Sequence, residues 1–514
     1  MSGKPTAISF GLPVAKKRGD SRGGGKRRSG GKNGEGSSSQ TLLFPSVNTG
    51  YPFTRLRLAL LNHCSSSDAL YVVTMQSLIK TEIETFYRTT KPVEPVTTNP
   101  FKHRLHLTWS KKIELLFGFF FLFPLRLPLF ILVFISVVFW SMVITYGTNC
   151  HDYKTPLPTW KRKLKKILQL HSRMLLYISG FHKVKIKGKL ATPSEAPIVV
   201  FAPHSSFMDA FVLSAIEMVP SGLSKIENFQ SPVTASLLMA IESIGVRREC
   251  PKSRFQSLEN VKYRTLTTRG QWPHLLICPE GTCTNRTSLI HFKAGAFIPG
   301  CPVQPVCVKY ISKPDIYSWV YDGPSGIELF LLIMCQLFHE AELEIMPVRT
   351  PTQQEVDNPK LFADNVRTEM ARCLDVPTSG HSFEDCILMS EASRLGLPDE
   401  VAIVEYQSLS KALGTNVDFM KEHLETFAVV DTDKDGVITL EDYVKYHDLP
   451  ISAPLKLLFT AFDPQNYHQV TFRQYLVGIA CIKKVASNEE VYSNALQVSM
   501  RPRWSYKMYT YSLK

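Results

Sequence analysis

A histidine and an aspartate five positions apart, His204 and Asp209, are the residues in this sequence best placed to carry out acid–base chemistry. They come just after the apolar run Ile198–Ala202. An imidazole titrates near neutral pH and can therefore take a proton from a hydroxyl. A carboxylate one helical turn further on can hold the other ring nitrogen and steady the imidazolium. The pair predicts that His204 acts as a general base and that Asp209 orients its ring.

A second segment, Pro279–Arg286, supplies groups that could grip a phosphate. It follows the apolar run His274–Cys278 and turns at Gly281 between Glu280 and Thr282. Hydroxyl, amide and guanidinium groups follow, and Arg286 carries the last of them. Acyl transfer from a thioester to an alcohol needs a base, a group that orients it and donors for the oxyanion. The two segments together indicate this chemistry.

The spacing of His204 and Asp209 is a weak signal alone, because His63–Asp68 has the same spacing. No strand-like run precedes His63 and no phosphate-type turn follows it, whereas His204 has both. We therefore assign the chemistry to His204, and we expect the backbone N–H groups of Ser205 and Ser206 to face the oxyanion. The sequence has no G-x-S-x-G elbow, which disfavours a covalent serine route.

The elements that must position these residues alternate between short apolar runs and helical segments, as in α/β proteins. We predict an α/β domain over residues 160–350, with a mixed sheet and surrounding helices. The predicted strands are 197–201, 275–278, 303–308 and 341–346. The predicted helices are 160–178, 209–218, 237–244 and 326–340.

A membrane anchor is predicted over residues 113–147, ahead of this domain. The stretch from Leu127 to Tyr146 carries no charge and has the length needed to cross a hydrocarbon core. One geometry is a single span that begins near Leu127. The other is a re-entrant hairpin that turns at Pro124 and Pro128, and the basic residues on both sides slightly favour it. A buried core helix is the third interpretation.

The formal net charge of +14 over 514 residues is concentrated locally. Basic residues crowd a Gly/Ser-rich segment, 1–55, which we expect to be disordered, and the run Trp160–Lys166 just after the apolar stretch. That placement suits anionic lipid headgroups, and no nucleic-acid-binding signature accompanies it. The N-terminus lacks the apolar core of a cleavable signal peptide. The 11 cysteines are scattered, which indicates free thiols in a reducing compartment. Within the pre-membrane region 56–112, residues 56–90 could contain a helix.

A calcium-loop pattern lies in a second predicted domain, an all-α EF-hand pair at 391–485 that follows a linker at 351–390 and precedes a tail at 486–514. The expected ligands are four carboxylates and one backbone carbonyl. They belong to Asp431, Asp433, Asp435, Val437 and Asp442. Glutamate usually fills the last position, so an aspartate there should weaken Ca²⁺ or admit Mg²⁺. A partner loop from Asp463 has little charge and should bind no metal.

From about residue 99 to 490 the chain resembles the glycerolipid acyltransferases. Within them it is similar to the lysophosphatidylcholine and lyso-platelet-activating-factor acyltransferases, which also carry C-terminal EF-hands. The segments that carry the resemblance are Asn99–Phe101, Phe123–Arg126, Ala202–Ser206, Glu280–Arg286, Phe292–Phe297 and Pro302–Val306. The resemblance implies an acyltransferase domain behind a membrane segment.

The resemblance also implies roles for particular residues. His204 and Asp209 would be the catalytic pair. Glu280, Gly281 and Thr282 would bind the glycerol-phosphate part of the acceptor. Arg248 would match the arginine of the family's second block, with Arg247 as the alternative, although a serine is missing before it. Val303–Val306 would be the family's fourth block, and Arg286 is a further candidate for binding the substrate.

The donor implied is acyl-CoA or acetyl-CoA, and the acceptor is lysophosphatidylcholine or lyso-PAF. The expected location is the endoplasmic reticulum membrane, with Golgi and lipid droplets as alternatives. A second hypothesis is an acyltransferase for lysophosphatidic acid or glycerol 3-phosphate. A third, from another class, is a calcium-binding membrane adaptor with an inactive acyltransferase fold, against which the intact pair and turn argue.

Overall fold

The chain forms two compact units in a computed structural model. The structure describes residues 66–89, 99–148, 153–216, 219–247, 250–311, 313–447 and 467–487, with a few positions between 451 and 463. Among the described residues, those from 99 to 387 belong to the first unit, and those at 66–89 and from 388 to 487 belong to the second. The basic N-terminal segment, the 486–514 tail beyond residue 487 and His63 lie outside the described residues.

The helices are numbered in chain order across both units. They are α1 (Ser66–Thr89), α2 (Trp109–Phe121), α3 (Phe123–Thr145), α4 (Thr159–Ile178), α5 (Asp209–Leu213), α6 (Pro232–Ala240), α7 (Pro251–Lys262), α8 (Gly326–Cys335), α9 (Gln353–Asp357), α10 (Pro359–Leu374), α11 (Phe383–Leu395), α12 (Tyr406–Leu413), α13 (Val417–Val430), α14 (Leu440–His447) and α15 (Phe472–Ser487). The strands are β1 (Lys183–Lys187), β2 (Ile198–Ala202), β3 (Ser221–Lys225), β4 (Ile244–Val246), β5 (Leu275–Ile277), β6 (Val303–Tyr310), β7 (Glu340–Ile345), β8 (Val437–Thr439) and β9 (Gln469–Thr471).

A seven-stranded sheet in the order β1-β7-β6-β2-β5-β3-β4 forms the centre of the first unit. The β6–β7 pair is antiparallel and the other pairs are parallel, so the predicted mixed sheet with surrounding helices is confirmed. Strand β2 is buried along its whole length, and its Ile198 pairs with Leu275 on one side and Val303 on the other. Because β2, β5 and β6 are parallel, the segments that follow them all begin at the carboxyl ends of these strands, on the same side of the sheet.

Helices cover both faces of the sheet, and one of them corrects the predicted linker at 351–390. Helix α10 lies within that range, and its Phe362, Val366 and Met370 are fully buried against the sheet core. The three residues repeat every four positions, which is the spacing of one helix face. The segment is therefore part of the first unit, and the linker prediction is wrong.

Several predicted elements end earlier in the structure. The helix predicted at 237–244 ends at Ala240, because Ile244–Val246 pairs with β3 as a strand. The helix predicted at 326–340 ends at Cys335, and Glu340 already begins β7. The helix predicted at 209–218 ends at Leu213 and continues as a short 3-10 turn.

Three strands of the seven-stranded sheet, β1, β3 and β4, were not predicted as strands, and β1 shows why. Its sequence is Lys-Val-Lys-Ile-Lys, which is polar on one face and lies at the sheet edge. Its lysines pair with glutamates of the neighbouring strand β7, as Lys187 does with Glu342 at 2.5 Å. Charged side chains on an edge strand discourage pairing with other chains. Such a strand has no apolar run for a sequence pattern to detect.

Among the described residues, one helix, α3, is long and apolar enough to cross a membrane, judged by length and composition alone. Helix α2 precedes it and the two are separated at Leu122, before the prolines where a turn was predicted. Pro124 lies in the first turn of α3, where its missing N–H would have had no partner within the helix. The break therefore precedes Pro124, and Pro128 lies inside the helix.

Arg126 joins α3 to the end of helix α8. Its guanidinium donates to the backbone carbonyls of Met334 at 3.0 Å, Gln336 at 2.6 Å and Leu337 at 3.0 Å. Met334 lies in the last turn of α8 and the other two residues follow it, so these carbonyls have no partner within the helix. A cation at this end also interacts favourably with the helix dipole.

Gly118 allows helix α2 to approach the same end of α8. A Cβ built on Gly118 would lie 1.7 Å from the carbonyl oxygen of Cys335, which is far inside van der Waals contact. We therefore expect Gly118→Ala to force the helices apart and to destabilise the fold by about 1–3 kcal/mol. The measurement is the thermal unfolding midpoint of the detergent-solubilised protein.

The matched control for this substitution is Gly295→Ala, because nothing lies within 4 Å of the Cβ position there. It should leave the unfolding midpoint unchanged. An unchanged midpoint for Gly118→Ala would contradict the close approach of α2 and α8.

The second unit packs its helices around one apolar core. Helix α13 leads through an acidic loop into β8 and α14, and β8 pairs antiparallel with β9, which leads into α15. The predicted all-α domain therefore contains a two-stranded ribbon. Helix α1 contributes Ile79, Ile83 and Phe86 to the same core, although it precedes the first unit in the sequence.

Candidate active site

The loop after strand β2 brings His204 and Asp209 into direct contact. His204 Nδ1 lies 2.8 Å from Asp209 Oδ2, and both side chains are almost fully buried. Helix α5 begins at Asp209, so the helix start places the carboxylate back over the preceding loop. Because a carboxylate only accepts, Nδ1 carries a proton in this pair and Nε2 is the nitrogen that can act as base.

Four hydrogen bonds hold the Asp209 carboxylate. Besides the His204 ring, Oδ2 accepts the backbone N–H groups of Ser205 at 3.0 Å and Ser206 at 3.1 Å. The prediction that these two N–H groups face an oxyanion is therefore wrong. Both N–H groups belong to the loop before helix α5, and each has the Asp209 carboxylate as its acceptor. The fourth bond, on Oδ1, comes from the Tyr310 hydroxyl at 2.5 Å.

The surroundings of His204 change its basicity. Burial by itself lowers the pKa of the imidazole, whereas the neighbouring thiols of Cys283 and Cys278 and the Asp209 carboxylate raise it, and the net pKa lies well above the ordinary histidine value. A higher pKa makes the ring a stronger proton acceptor. It also means that deprotonation, which a general base requires, occurs at a higher pH than for an ordinary histidine.

The turn after strand β5 is attached directly to the histidine. Glu280 is fully buried, and its Oε2 accepts the backbone N–H of His204 at 2.7 Å. In return, Thr284 donates its backbone N–H to the carbonyl of His204 at 2.9 Å. Burial raises the pKa of Glu280 to about 7, although hydrogen bonds to the carboxylate oppose that rise. The two predicted segments therefore form one hydrogen-bonded structure.

The other two residues of the turn have different surroundings. Gly281 has a φ of +75°, a left-handed conformation that favours glycine, and an added Cβ would lie 3.1 Å from Lys293. Gly281 is partly exposed, whereas Thr282 is fully buried with its hydroxyl 3.9 Å from the Cys386 sulfur. Of the three residues expected to meet the acceptor, Gly281 is thus the one that reaches the surface.

Arg286 lies beside the site but is held by an acid. Its guanidinium is 2.5 Å from Asp315 Oδ1, and it stacks over the Tyr310 ring at 5.3 Å from the ring centre. The side chain is largely buried. In this position Arg286 braces the aromatic side chain that holds Asp209.

Two arginines, Arg248 and Arg247, are the candidates for the arginine of the family's second block. Arg248 lies outside the described residues. Its neighbour Arg247 is exposed, with Nε 3.8 Å from Glu227 Oε1.

Tyr310 is the site residue that sequence reasoning missed. It ends strand β6, is buried, and stacks on Tyr317 with ring centres 4.5 Å apart and planes 19° from parallel. The Tyr317 hydroxyl contacts His339 Nδ1 at 2.6 Å rather than Asp209. One signal was available: Tyr310 is a polar residue two positions after the predicted strand 303–308, at the end of the sheet where β2 and β5 also finish.

Comparison with known proteins gives the family. Residues 183–309 match the acyltransferase family. Over 407 residues, 79% of this chain and 74% of the relative, the sequence is 37% identical to lysophosphatidylcholine acyltransferase 2 of Mus musculus. The chain belongs to the lysophosphatidylcholine acyltransferase family.

Two further relatives agree. The Danio rerio lysophosphatidylcholine acyltransferase 2 is 39% identical over 409 residues, covering 79% of this chain and 76% of the relative. The Rattus norvegicus lysophosphatidylcholine acyltransferase 1 is 34% identical over 391 residues, covering 76% and 72%. A solved structure, the LPA acyltransferase PlsC of Thermotoga maritima, has 15% identity and a TM-score of 0.33 over 49% of this chain and 98% of its own. That similarity is too low to support a conclusion.

This member of the lysophosphatidylcholine acyltransferase family also has a carboxylate cluster in its second unit. Ligand oxygens of Asp431, Asp433 and Asp435 lie within 4.8 Å of one another. Burial, together with the neighbouring Asp433 and Asp435, raises the pKa of Asp431 to about 6. Asp442 accepts hydrogen bonds from Thr432 and Thr439, each at 2.6 Å. Converging carboxylates that repel one another fit a divalent cation.

The hydroxyl of Tyr310 should tune the basicity of the His204–Asp209 pair in this family member. Its O–H points the positive end of its dipole at the pair, so Tyr310→Phe should make the His204 imidazolium easier to form. We expect the acid limb of the pH profile of kcat/KM to move up by about one unit, together with an activity loss of about tenfold. The measurement is a pH–rate profile of the purified enzyme.

Tyr317→Phe is the matched control, because the same hydroxyl is removed from the neighbouring ring of the stack without touching Asp209. Its pH profile should keep the wild-type limb. If the two variants shifted the limb equally, the effect would come from packing of the stack and the proposed influence on His204 would be wrong.

Proposed function

We propose that this protein transfers an acyl group from acyl-CoA to the free hydroxyl of a lysophospholipid, with lysophosphatidylcholine or lyso-PAF as the preferred acceptor. The observation that carries the proposal is the buried His204–Asp209 contact of 2.8 Å in a chain that belongs to the lysophosphatidylcholine acyltransferase family. The acceptor class comes from the names of the relatives, which are 34–39% identical.

In the proposed reaction, His204 Nε2 takes the proton of the acceptor hydroxyl as its oxygen attacks the thioester carbonyl. The C–O bond forms, the carbonyl π bond opens to an oxyanion, and collapse of this intermediate breaks the C–S bond. The proton on the imidazolium then passes to the departing CoA sulfur. Asp209 accepts the hydrogen bond from Nδ1–H throughout and remains a carboxylate, which the other hydrogen bonds to it stabilise.

For the acceptor's phosphate, we propose that the Glu280–Thr282 turn acts mainly through its shape. Glu280 and Thr282 are fully buried, and Glu280 holds the His204 backbone. Gly281 is then the part of the turn open to a substrate. Arg248 remains the residue proposed to meet the phosphate, and Arg286 contributes by bracing Tyr310.

We propose that the apolar helices α2 and α3 enter one leaflet as a hairpin instead of crossing the bilayer. Helix α3 contacts the α/β domain along its whole length, through Arg126 near its start and through Ser136, 2.9 Å from His171, at its middle. Just beyond its end, the Tyr146 carbonyl accepts the Lys161 ammonium at 2.6 Å. The neighbour of α3 along this length is the lysine-rich helix α4. Charged side chains are costly in hydrocarbon, so α3 cannot cross the bilayer while it stays packed against α4.

The outer side of these helices fits the hydrocarbon of one leaflet. It exposes a set of large apolar side chains, which is unusual on a soluble surface. They include Phe117, Phe120, Phe121, Leu125, Leu132, Ile135 and Phe139. We place the protein in the endoplasmic reticulum membrane, with Golgi and lipid droplets as alternatives.

His204→Ala should reduce acyl transfer by about a hundred- to ten-thousandfold, because the general base is removed. The assay presents purified enzyme with several acyl-CoA donors, acetyl-CoA included, and with acceptors that differ in headgroup. Lysophosphatidylcholine should be acylated fastest.

The matched control is His63→Ala, which alters the other histidine that stands five positions before an aspartate. It should retain wild-type activity. Full activity of His204→Ala would contradict the mechanism, and faster acylation of lysophosphatidic acid would overturn the acceptor assignment while leaving the chemistry intact.

We also propose that the second unit is an EF-hand pair and that its first loop binds Ca²⁺. Asp431, Asp433, Asp435 and Asp442 and the carbonyl of Val437 would hold the ion. The convergence of three carboxylates supports this assignment. Asp442 has a shorter arm than the usual glutamate, so the affinity should be modest and Mg²⁺ should compete.

Asp431→Asn should weaken calcium binding by at least about tenfold, because it removes one of the charged ligands. Isothermal titration of the full-length protein in detergent measures the affinity. Glu441→Gln is the control, since it removes an equal charge from an exposed side chain next to the proposed ligand Asp442. Equal affinities in the wild type and Asp431→Asn would rule out this loop.

A further inference from the structure

We propose that helix α1 is a built-in target helix of the C-terminal unit, and that its binding there is coupled to calcium in the 431–442 loop. The helix comes from the region before the membrane segment, for which the sequence indicated no role. The coupling rests on the proposed calcium site, whereas the packing of α1 in the second unit does not.

One face of α1 carries an apolar stripe that is buried in the second unit. Ile79, Ile83 and Phe86 are between 1% and 9% exposed, and they belong to the same core as the helices around the calcium loop. The positions between them, such as Thr81 and Thr85, are exposed. Spacings of four and three place the stripe on one side of the helix, which is how a target helix binds in an apolar groove.

The partner of α1 is α15, the last described helix of the unit. Glu82 on α1 pairs with Lys484 on α15 at 2.7 Å, beside the buried stripe. The α15 residues Leu476 and Val485 are buried in the same core. An ion pair at the rim and apolar contacts inside together define both the face and the register of the helix.

The contact with α15 connects α1 to the calcium loop through a short physical path. The loop leads into β8, where Ile438 is paired with Val470 of β9. Strand β9 continues into α15 through Phe472, which is fully buried. A change in the loop on ion binding therefore reaches the helix that carries α1 through one strand pair.

Coupling of this kind is reciprocal. If calcium favours the arrangement of helices that binds α1, then α1 raises the affinity of the loop for calcium by the same factor. Nine residues, 90–98, separate α1 from the first described residue before the membrane helices. If calcium strengthens the binding of α1, it therefore restrains the segment of the chain that precedes the proposed membrane anchor.

The test uses the full-length protein in lipid nanodiscs. Ile83→Asp puts a charge into the buried stripe and should raise hydrogen exchange of the segments 77–88 and 472–485. It should also weaken calcium binding by about tenfold, within the usual range of coupling between two sites. Hydrogen-exchange mass spectrometry and calcium titration give the two readouts.

Two further variants keep the result independent of misfolding. Thr81→Asp adds the same charge on the exposed side of α1 and should change neither readout. Glu82→Lys opposes Lys484 at the rim and should raise exchange and weaken calcium binding, and Lys484→Glu in the same chain should restore both.

The outcomes separate this inference from the calcium proposal. Unchanged hydrogen exchange in both Ile83→Asp and Glu82→Lys would show that α1 does not pack on α15. Increased exchange with unchanged calcium affinity would overturn the coupling alone. If the wild type binds no calcium, the proposed calcium function fails and the coupling fails with it, while the exchange data still decide whether α1 is held on α15.

Discussion

The Asp209 carboxylate is the constraint on which the rest of the site depends. It accepts four hydrogen bonds, from the His204 ring, two backbone N–H groups and the Tyr310 hydroxyl. A buried charge is tolerated only when it is well paired, and this one is paired by donors from the β2–α5 loop and from the end of β6. Each donor must be held in place, so the carboxylate ties the loop, the first helical turn and a distant strand together.

The donors are in turn held by their neighbours. Glu280 fixes the backbone of His204 from the loop after β5, and Arg286 braces the Tyr310 ring while pairing with Asp315. The parallel strands β2, β5 and β6 deliver all of these groups to one edge of the sheet. The geometry of the His204–Asp209 site therefore depends on three strand ends, and the start of helix α5 alone would not produce it.

The apolar helices are built into the catalytic unit in a similar way. Arg126, which lies in the long apolar helix α3, donates to three carbonyls at the end of α8, and Gly118 lets the preceding helix touch the same end. A guanidinium satisfies three acceptors at once, which a helix end otherwise leaves open. The apolar helices and the α/β domain therefore share hydrogen bonds, so these helices are an integral part of the fold.

The sequence by itself located the His204–Asp209 pair, the turn at Gly281, the long apolar helix and the acidic loop, and it predicted a mixed α/β domain, because each depends on residue types at short spacings. It missed the edge strand β1 and the packing of α10, whose roles depend on what lies across the sheet. Only the tertiary structure decided that Ser205 and Ser206 donate to Asp209, that Glu280 holds His204 and that Tyr310 completes the site. The tertiary structure also showed that α1 packs in the C-terminal unit. These are contacts between residues far apart in sequence, and only the packed chain brings them together.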